Sequence, residues 1–145
     1  MQNIITRKMK DDEIGTAVDI WYEASVKAHD FISEDYWKES KDLMKSKYLP
    51  MSEVFVAEQE GEILGFIALV DLYLAAIFVN VERQGQGIGT KLLNHAKGIR
   101  NELQLKVYEK NEDSIAFYKS KGFHTISKSV DNETGESECM MEWKK

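Results

Sequence analysis

The segment from Leu74 to Ile99 limits what the chain can fold into more than any other. Leu74-Ala-Ala-Ile-Phe-Val79 is a short apolar run, Asn80-Val-Glu82 turns it, and Arg83-Gln-Gly-Gln-Gly-Ile-Gly-Thr90 is a glycine-rich bend. Ile88, Leu92, Leu93, Ala96 and Ile99 then recur at helical spacing. This succession predicts a strand running through a loop into a helix start. Glycines at 85, 87 and 89 let backbone N–H groups approach a ligand with no Cβ between. The first helical turn adds unpaired donors at the positive end of the helix dipole. A phosphate or pyrophosphate is expected at this junction.

Several glycine-loop chemistries compete for such a bend. The dinucleotide fingerprint wants a glycine where Thr90 stands, and the acidic residue it wants about 20 residues on is replaced by Leu105 and its neighbours. The Walker loop wants Gly-Lys followed by Ser or Thr, whereas Gly89-Thr90-Lys91 has the reverse order. The bland alternative is a strand-to-helix turn that uses glycine for geometry alone.

At 145 residues, the chain is expected to form one domain spanning 1–145. A hydrophobic content of 43% argues against disorder. The net charge of −6 disfavours nucleic acid, which wants a basic stripe, and weakly favours an amine-bearing substrate. No apolar run approaches a membrane span, and Met1 to Lys8 lack a signal-peptide layout. The lone Cys139 cannot form an internal disulfide. These features predict a cytoplasmic protein with no membrane partner. Three histidines and one cysteine show no metal-ligand spacing, so no metal is expected, and no Gly-x-Ser-x-Gly elbow is present.

Along the chain, Ile4 and Ile5 begin a predicted first strand, and Asp11 or Asp12 can cap a helix that ends near Ala28. His29-Asp30-Phe31-Ile32 links it to a second helix capped by Ser33, and Pro50 closes the helical section. That link could face a substrate, or Asp30, Phe31 and Ser33 could serve only as cap and staple. Glu53–Glu58 and Ile63–Val70 flank Glu60-Gly61-Glu62 as an antiparallel hairpin, and Asp71-Leu-Tyr73 turns into the Leu74–Val79 strand. Leu103, Leu105 and Val107 alternate as a fifth strand. A helix capped by Asn111 and stopped by Gly122 follows, then a hairpin of Phe123–Val130 and Glu138–Trp143 with Cys139, Met141 and Trp143 on one face. His95 lies off the apolar stripe of its helix and is expected in solvent. The order β-α-α-β-β-β-α-β-α-β-β predicts an α/β (α+β) fold with a mixed sheet.

Two stretches carry a resemblance to a known family. Gln84-x-x-Gly87-x-Gly89, preceded by Arg83, resembles the acetyl-CoA pyrophosphate loop of the GCN5-related N-acetyltransferases. Asn111-x-x-Ser114-x-x-Phe117-Tyr118-x-x-x-Gly122-Phe123 is similar to that family's helix after the fifth strand. With the element order, the likeness spans essentially the whole chain, weakest over residues 9–50, and leans towards small bacterial acetyltransferases.

The resemblance implies a mostly antiparallel seven-stranded sheet flanked by about four helices, with the fourth and fifth strands splayed around acetyl-CoA. It implies backbone contacts from Ile77, Phe78 and Val79 to the pantetheine arm. Backbone donors of Gln84, Gly85, Gln86, Gly87, Ile88, Gly89 and Thr90 would hold the pyrophosphate, with Arg83 and Gln84 side chains at its edge. Asn111, Ser114, Phe117 and Tyr118 would complete the cofactor site. The implied reaction is acetyl transfer to a primary amine by direct attack in a ternary complex, by a monomer or homodimer. The amine would belong to a small molecule, a peptide N-terminus or a lysine. The competing function is a non-catalytic acyl-CoA sensor or regulatory module. For catalysis, Tyr118 would protonate the leaving thiolate and the Phe78 N–H would serve the oxyanion, unless Tyr118 only packs on the sheet. The base stays open among Tyr73, His29, Tyr108 and Glu109.

Overall fold

A computed structural model describes residues 3–145 of the protein. Met1 and Gln2, the start of the segment read above for a leader, lie outside the described residues. The strands are β1 Ile5–Lys8, β2 Glu53–Gln59, β3 Glu62–Val70, β4 Tyr73–Val79, β5 Glu102–Tyr108, β6 His124–Val130 and β7 Ser137–Lys144. The helices are α1 Ile14–Ala28, α2 Glu34–Leu43, α3 Ile88–Ile99 and α4 Glu112–Ser120. One seven-stranded sheet runs in the order β1-β2-β3-β4-β5-β7-β6, antiparallel except between β4 and β5. The mixed, mostly antiparallel architecture read from the sequence is the one observed.

Local chemistry accounts for most boundaries. Glu60 and Gly61 both take positive φ, at 51° and 82°, as the tight turn between two twisted strands demands. Ser33 Oγ accepts from the Asp35 N–H at 3.2 Å to start α2, and Asn111 Oδ1 accepts from the Ser114 N–H at 3.3 Å to start α4. Helical winding continues past Leu43 through a π-type turn, Met44–Tyr48, so the stop comes just before Pro50. The start of α1 differs from expectation. Neither Asp11 nor Asp12 caps it; both lie in a 3₁₀ turn, Asp11–Glu13, whose Glu13 carboxylate accepts from the Lys10 N–H at 2.8 Å.

Glu13 also belongs to an ion cluster that ties the N-terminal elements together. The Arg7 guanidinium grips it with two bonds, 2.9 and 2.7 Å, and reaches Glu58 on β2 at 2.9 and 2.8 Å. Hydrogen bonding to Arg7 pulls the Glu13 carboxyl down from its ordinary value of 4.5 to about 2. A carboxyl depressed on folding contributes stability that is complete above 4.5 and is lost as pH falls towards 2. Glu13→Gln is therefore expected to lower Tm at pH 6 and to flatten the acid decline, read from melting curves across pH 2–6.

The sheet buries a core on each face. On one face Leu92 and Leu93 of α3 pack on Leu64, Leu74, Leu105 and Met141 of the sheet, and on the other Ala17 and Trp21 of α1 and Trp37 of α2 pack on Val56 and Phe66. Cys139 is buried in the first of these. Two expectations on α3 fail. Ile99, at the end of the helix, is 43% exposed, and His95 is half-buried with its ring 4.4 Å from that of Phe55.

Gly65 on β3 marks the closest backbone approach next to the site. A Cβ there would lie 2.7 Å from the Phe78 carbonyl oxygen and 3.2 Å from Val79 Cα, and backbone cannot yield as a side-chain tip can. Gly65→Ala is expected to destabilise the protein by about 1–3 kcal/mol, the usual penalty of overpacking, measured by denaturant unfolding.

Candidate active site

The site forms where the sheet comes apart. β4 and β5 meet in a single parallel pairing, Tyr73 with Gln104, next to a bond from the Gln104 N–H to the Leu72 carbonyl at 2.9 Å. Beyond that point the strands diverge, and Tyr73–Val79 and Leu105–Tyr108 form the walls of a cleft of about 930 Å³. Strand backbone without a neighbouring strand keeps free donors and acceptors that want a partner. Secondary amides of an extended ligand meet that need as an added strand would.

The glycine bend lies at the mouth of the cleft. Gly85 and Gly87 hold φ of 82° and 80°, a conformation that favours glycine, and Gly87 is the N-cap of α3. The Lys91 N–H bonds back to the Gly87 carbonyl at 3.1 Å, whereas Ile88, Gly89 and Thr90 precede that first intrahelical bond and line the cleft. The Phe117 ring of α4 would lie 3.6 Å from a Cβ on Gly89, which fixes α4 against the start of α3. Unpaired donors at a helix N-terminus suit an anion, so these residues fit a pyrophosphate.

Most of the expected site residues meet here. Tyr73, Ile77, Phe78, Val79, Arg83, Gln84, Gly85, Gly87, Ile88, Gly89 and Thr90 line the cleft, as do His29, Tyr108, Asn111, Ser114, Phe117 and Tyr118. Gln86 is exposed and does not join them. Glu109 also lies outside the cleft, exposed, with its carboxylate 3.8 Å from the Lys128 ammonium. Arg83 lines the mouth, but its guanidinium is held by Glu62 at 2.6 Å. Gln84 bonds the Val79 carbonyl and accepts from Lys27 at 3.2 Å.

Hydrogen bonding and burial sort the titratable groups. The Asn111 amide donates to His29 Nε2 at 3.2 Å, which leaves the ring proton on Nδ1 and ties the α1–α2 link to the cap of α4. Burial lowers the His29 pKa, with the Ser25 carbonyl opposing, and the ring stacks on Trp37 at 5.2 Å. The Tyr108 hydroxyl donates to Asp131 at 2.6 Å, and burial followed by that bond raises its pKa. Tyr73 is raised by burial and by Glu138. Tyr118, 8% exposed, is raised by burial and then by Tyr73, and its hydroxyl makes no hydrogen bond among the described residues. All three phenols therefore hold their protons at neutral pH, which suits donors and not bases.

Among the cleft residues not expected from the sequence, three bear on the chemistry or shape of the site. Lys27, on the last turn of α1, brings a cation to the phosphate loop. Ala75 is the extra residue of a bulge in β4, since Leu69 pairs with Leu74 and Ala68 with Ala76. Glu138, on β7, projects its carboxylate into the cleft. Strand alternation could have put Glu138 opposite Cys139 and Met141, but no local signal marks Lys27 or the bulge.

The sheet order, the parted strands and the glycine bend define an N-acetyltransferase fold of the acyl-CoA type. The family described as acetyltransferase (GNAT) domain matches residues 50–125, and the chain belongs to the GCN5-related N-acetyltransferase family. It is 31% identical over 138 residues to the peptidyl-lysine N-acetyltransferase YiaC of Escherichia coli, covering 94% of each chain. It is 33% identical to the peptidyl-lysine N-acetyltransferase YjaB of Escherichia coli, covering 91% of this chain and 90% of the other. The solution structure of apo-form YjaB superposes with a TM-score of 0.87 over 97% of each chain. A PaiA N-acetyltransferase from Thermoplasma acidophilum, solved with coenzyme A, shares the fold at a TM-score of 0.83 and 21% identity over 99% of each chain. Among the described residues no helix is long and apolar enough to cross a membrane.

Proposed function

We propose that the protein transfers acetyl from acetyl-CoA to a primary amine by direct attack in a ternary complex, and that the amine is a lysine side chain of a peptide or protein. The observation that carries this reading is the gap beyond the Tyr73–Gln104 pairing, with the Tyr118 hydroxyl in its wall. Backbone groups of Ile77 and Val79, which alternate to the gap side of β4, serve the pantetheine arm, while those of Phe78 face β3. Donors from the 84–90 loop serve the pyrophosphate, with Arg83, Gln84 and Lys27 at its edge. Asn111, Ser114 and Phe117 close the cofactor side. The Phe78 N–H, expected from the resemblance to serve the oxyanion, lies opposite Phe66 in the hydrogen-bonded register set by the Asn80 N–H to Leu64 carbonyl bond. The role therefore passes to the N–H of its neighbour Ile77 or Val79 on the gap side of β4, and Tyr118, protonated at neutral pH, delivers a proton to the departing thiolate.

The names of the two relatives favour lysine over the other amines. Lysine is also the demanding acceptor. With a pKa near 10.4, its deprotonation costs about 4–5 kcal/mol at pH 7, against about 1 kcal/mol for an α-amine. A lysine enzyme therefore needs a base, and a positively charged acceptor suits a chain of net charge −6.

The test is incubation with acetyl-CoA and, in parallel, a lysine peptide with blocked termini, a peptide with a free N-terminus and a panel of small amines. Products are read by mass and by released thiol. Acetylation of the blocked peptide supports the proposal, and acetylation of the free N-terminus or a small amine alone moves the acceptor class. No transfer to any amine, alongside a thermal shift with acetyl-CoA, turns the reading to an acyl-CoA sensor.

A further inference from the structure

We propose that Glu138 is the carboxylate that receives the acceptor's ammonium group and takes its proton before attack. The proposal rests on the acetyltransferase reading above. β7 alternates about the sheet, and Cys139 and Met141 point into the core beneath α3 and α4. Glu138 therefore points to the opposite face, where its strand partner Tyr108 packs with the α1 and α2 cluster. Its side chain is 15% exposed and lines the cleft. Tyr118 reaches the same cleft from α4 on the other face, and Tyr73 on β4 interacts electrostatically with both. Acyl transfer adds the nitrogen to the carbonyl carbon before the sulfur departs, and an acid on one side of the gap with a base on the other lets each of those two atoms meet its own group.

No other group fits that position. His29 Nε2 is occupied by Asn111, Tyr73 and Tyr108 hold their protons, and Glu109 is outside the cleft. The other carboxylates lining the cleft among the described residues, Asp30 and Asp113, are exposed. The charged and titratable groups facing Glu138 are Lys106 of β5 at 3.9 Å, its strand partner Tyr108 of β5, Asp131 in the β6–β7 turn and Tyr73 of β4. Burial and Asp131 raise its carboxyl pKa, while Lys106 opposes them. A carboxylate moved upward is a stronger base for an ammonium than one in water.

The protons balance as follows. The acceptor ammonium gives one proton to the Glu138 carboxylate, which passes it to solvent. The freed nitrogen lone pair forms the C–N bond, and the C–S bond breaks with its electron pair on sulfur. Sulfur takes the Tyr118 phenol proton, and the second proton lost by nitrogen restores the phenol.

The test compares wild type, Glu138→Gln and Lys106→Gln in kcat/KM against pH, with the acetyl-CoA thermal shift as a check on cofactor binding. With a working base, the wild-type rate is expected to reach a plateau between the Glu138 and amine pKa values. Glu138→Gln is expected to lose about 10²-fold at neutral pH. Its residual rate should follow the free amine, rising tenfold per pH unit, while the thermal shift is unchanged. Lys106→Gln removes the charge that favours ionised Glu138, so it should keep the plateau and move its acidic edge to higher pH. A Glu138→Gln rate and profile like wild type, or an unmoved edge in Lys106→Gln, overturns the proposal while leaving acetyl transfer standing. A wild type that acetylates no amine overturns both.

Discussion

Gly89→Glu is expected to abolish the rise in Tm that acetyl-CoA gives the wild-type protein. A ligand that binds only the folded state stabilises it by RT ln(1 + [L]/Kd), about 2.7 kcal/mol at a hundredfold excess over Kd. Gly89 is the second residue of α3, in the turn whose N–H groups have no backbone partner. A Cβ there meets only Phe117 at 3.6 Å and Val79 at 3.9 Å, both ordinary contacts, so the fold is expected to survive. The added carboxylate then stands where the proposed pyrophosphate would, and repulsion opposes binding. Gly87→Glu should have the same effect on binding but also lower the ligand-free Tm. Its φ of 80° costs a side-chain residue about 1–2 kcal/mol. If a folded Gly89→Glu protein keeps the full thermal shift, the phosphate does not bind at this loop.

Tyr118→Phe separates chemistry from packing at the other end of the site. The ring contacts with Phe117 and Phe123, each at 5.5 Å between centroids, are kept, and the lost hydroxyl made no hydrogen bond among the described residues. Stability is therefore expected to be unchanged within about 0.5 kcal/mol. If the hydroxyl protonates the thiolate, kcat should fall by about 10²-fold with little change in acetyl-CoA affinity. Measuring kcat, affinity and Tm on one preparation decides the matter, and an unaltered kcat removes Tyr118 from the reaction.

The periodic parts of this chain were legible because each depends on residues close together in sequence. Glu60-Gly61 encodes its own turn, Ser33 and Asn111 their own caps, and the alternation of Leu103, Leu105 and Val107 its own strand. What depended on a distant partner was not. Arg7 and Glu58 help hold Glu13, so the chain enters α1 through a 3₁₀ turn and not an aspartate cap. His95 looked solvated from its own helix, because Phe55 arrives from β2, forty residues away in sequence. The loop and Tyr118 were readable through their motifs. Glu138 was not, since its meaning comes from a gap, and a missing strand pairing leaves no trace in composition or periodicity.

That gap also bears on the mechanics of the free protein. The single Tyr73–Gln104 pairing divides the sheet into two plates, one of β1 to β4 and one of β5, β7 and β6, joined at one end like a hinge. Elsewhere the plates are coupled by side-chain packing on both faces and by side-chain bonds such as Asn111 to His29 and Tyr36 to Glu133, which resist separation less directionally than a ladder of backbone bonds. An occupant whose amides bridge β4 would supply the missing rungs, so binding and stiffening become a single event. Part of the binding free energy would then be spent on quieting motion between the plates, and slowed amide exchange along β4 would be its signature.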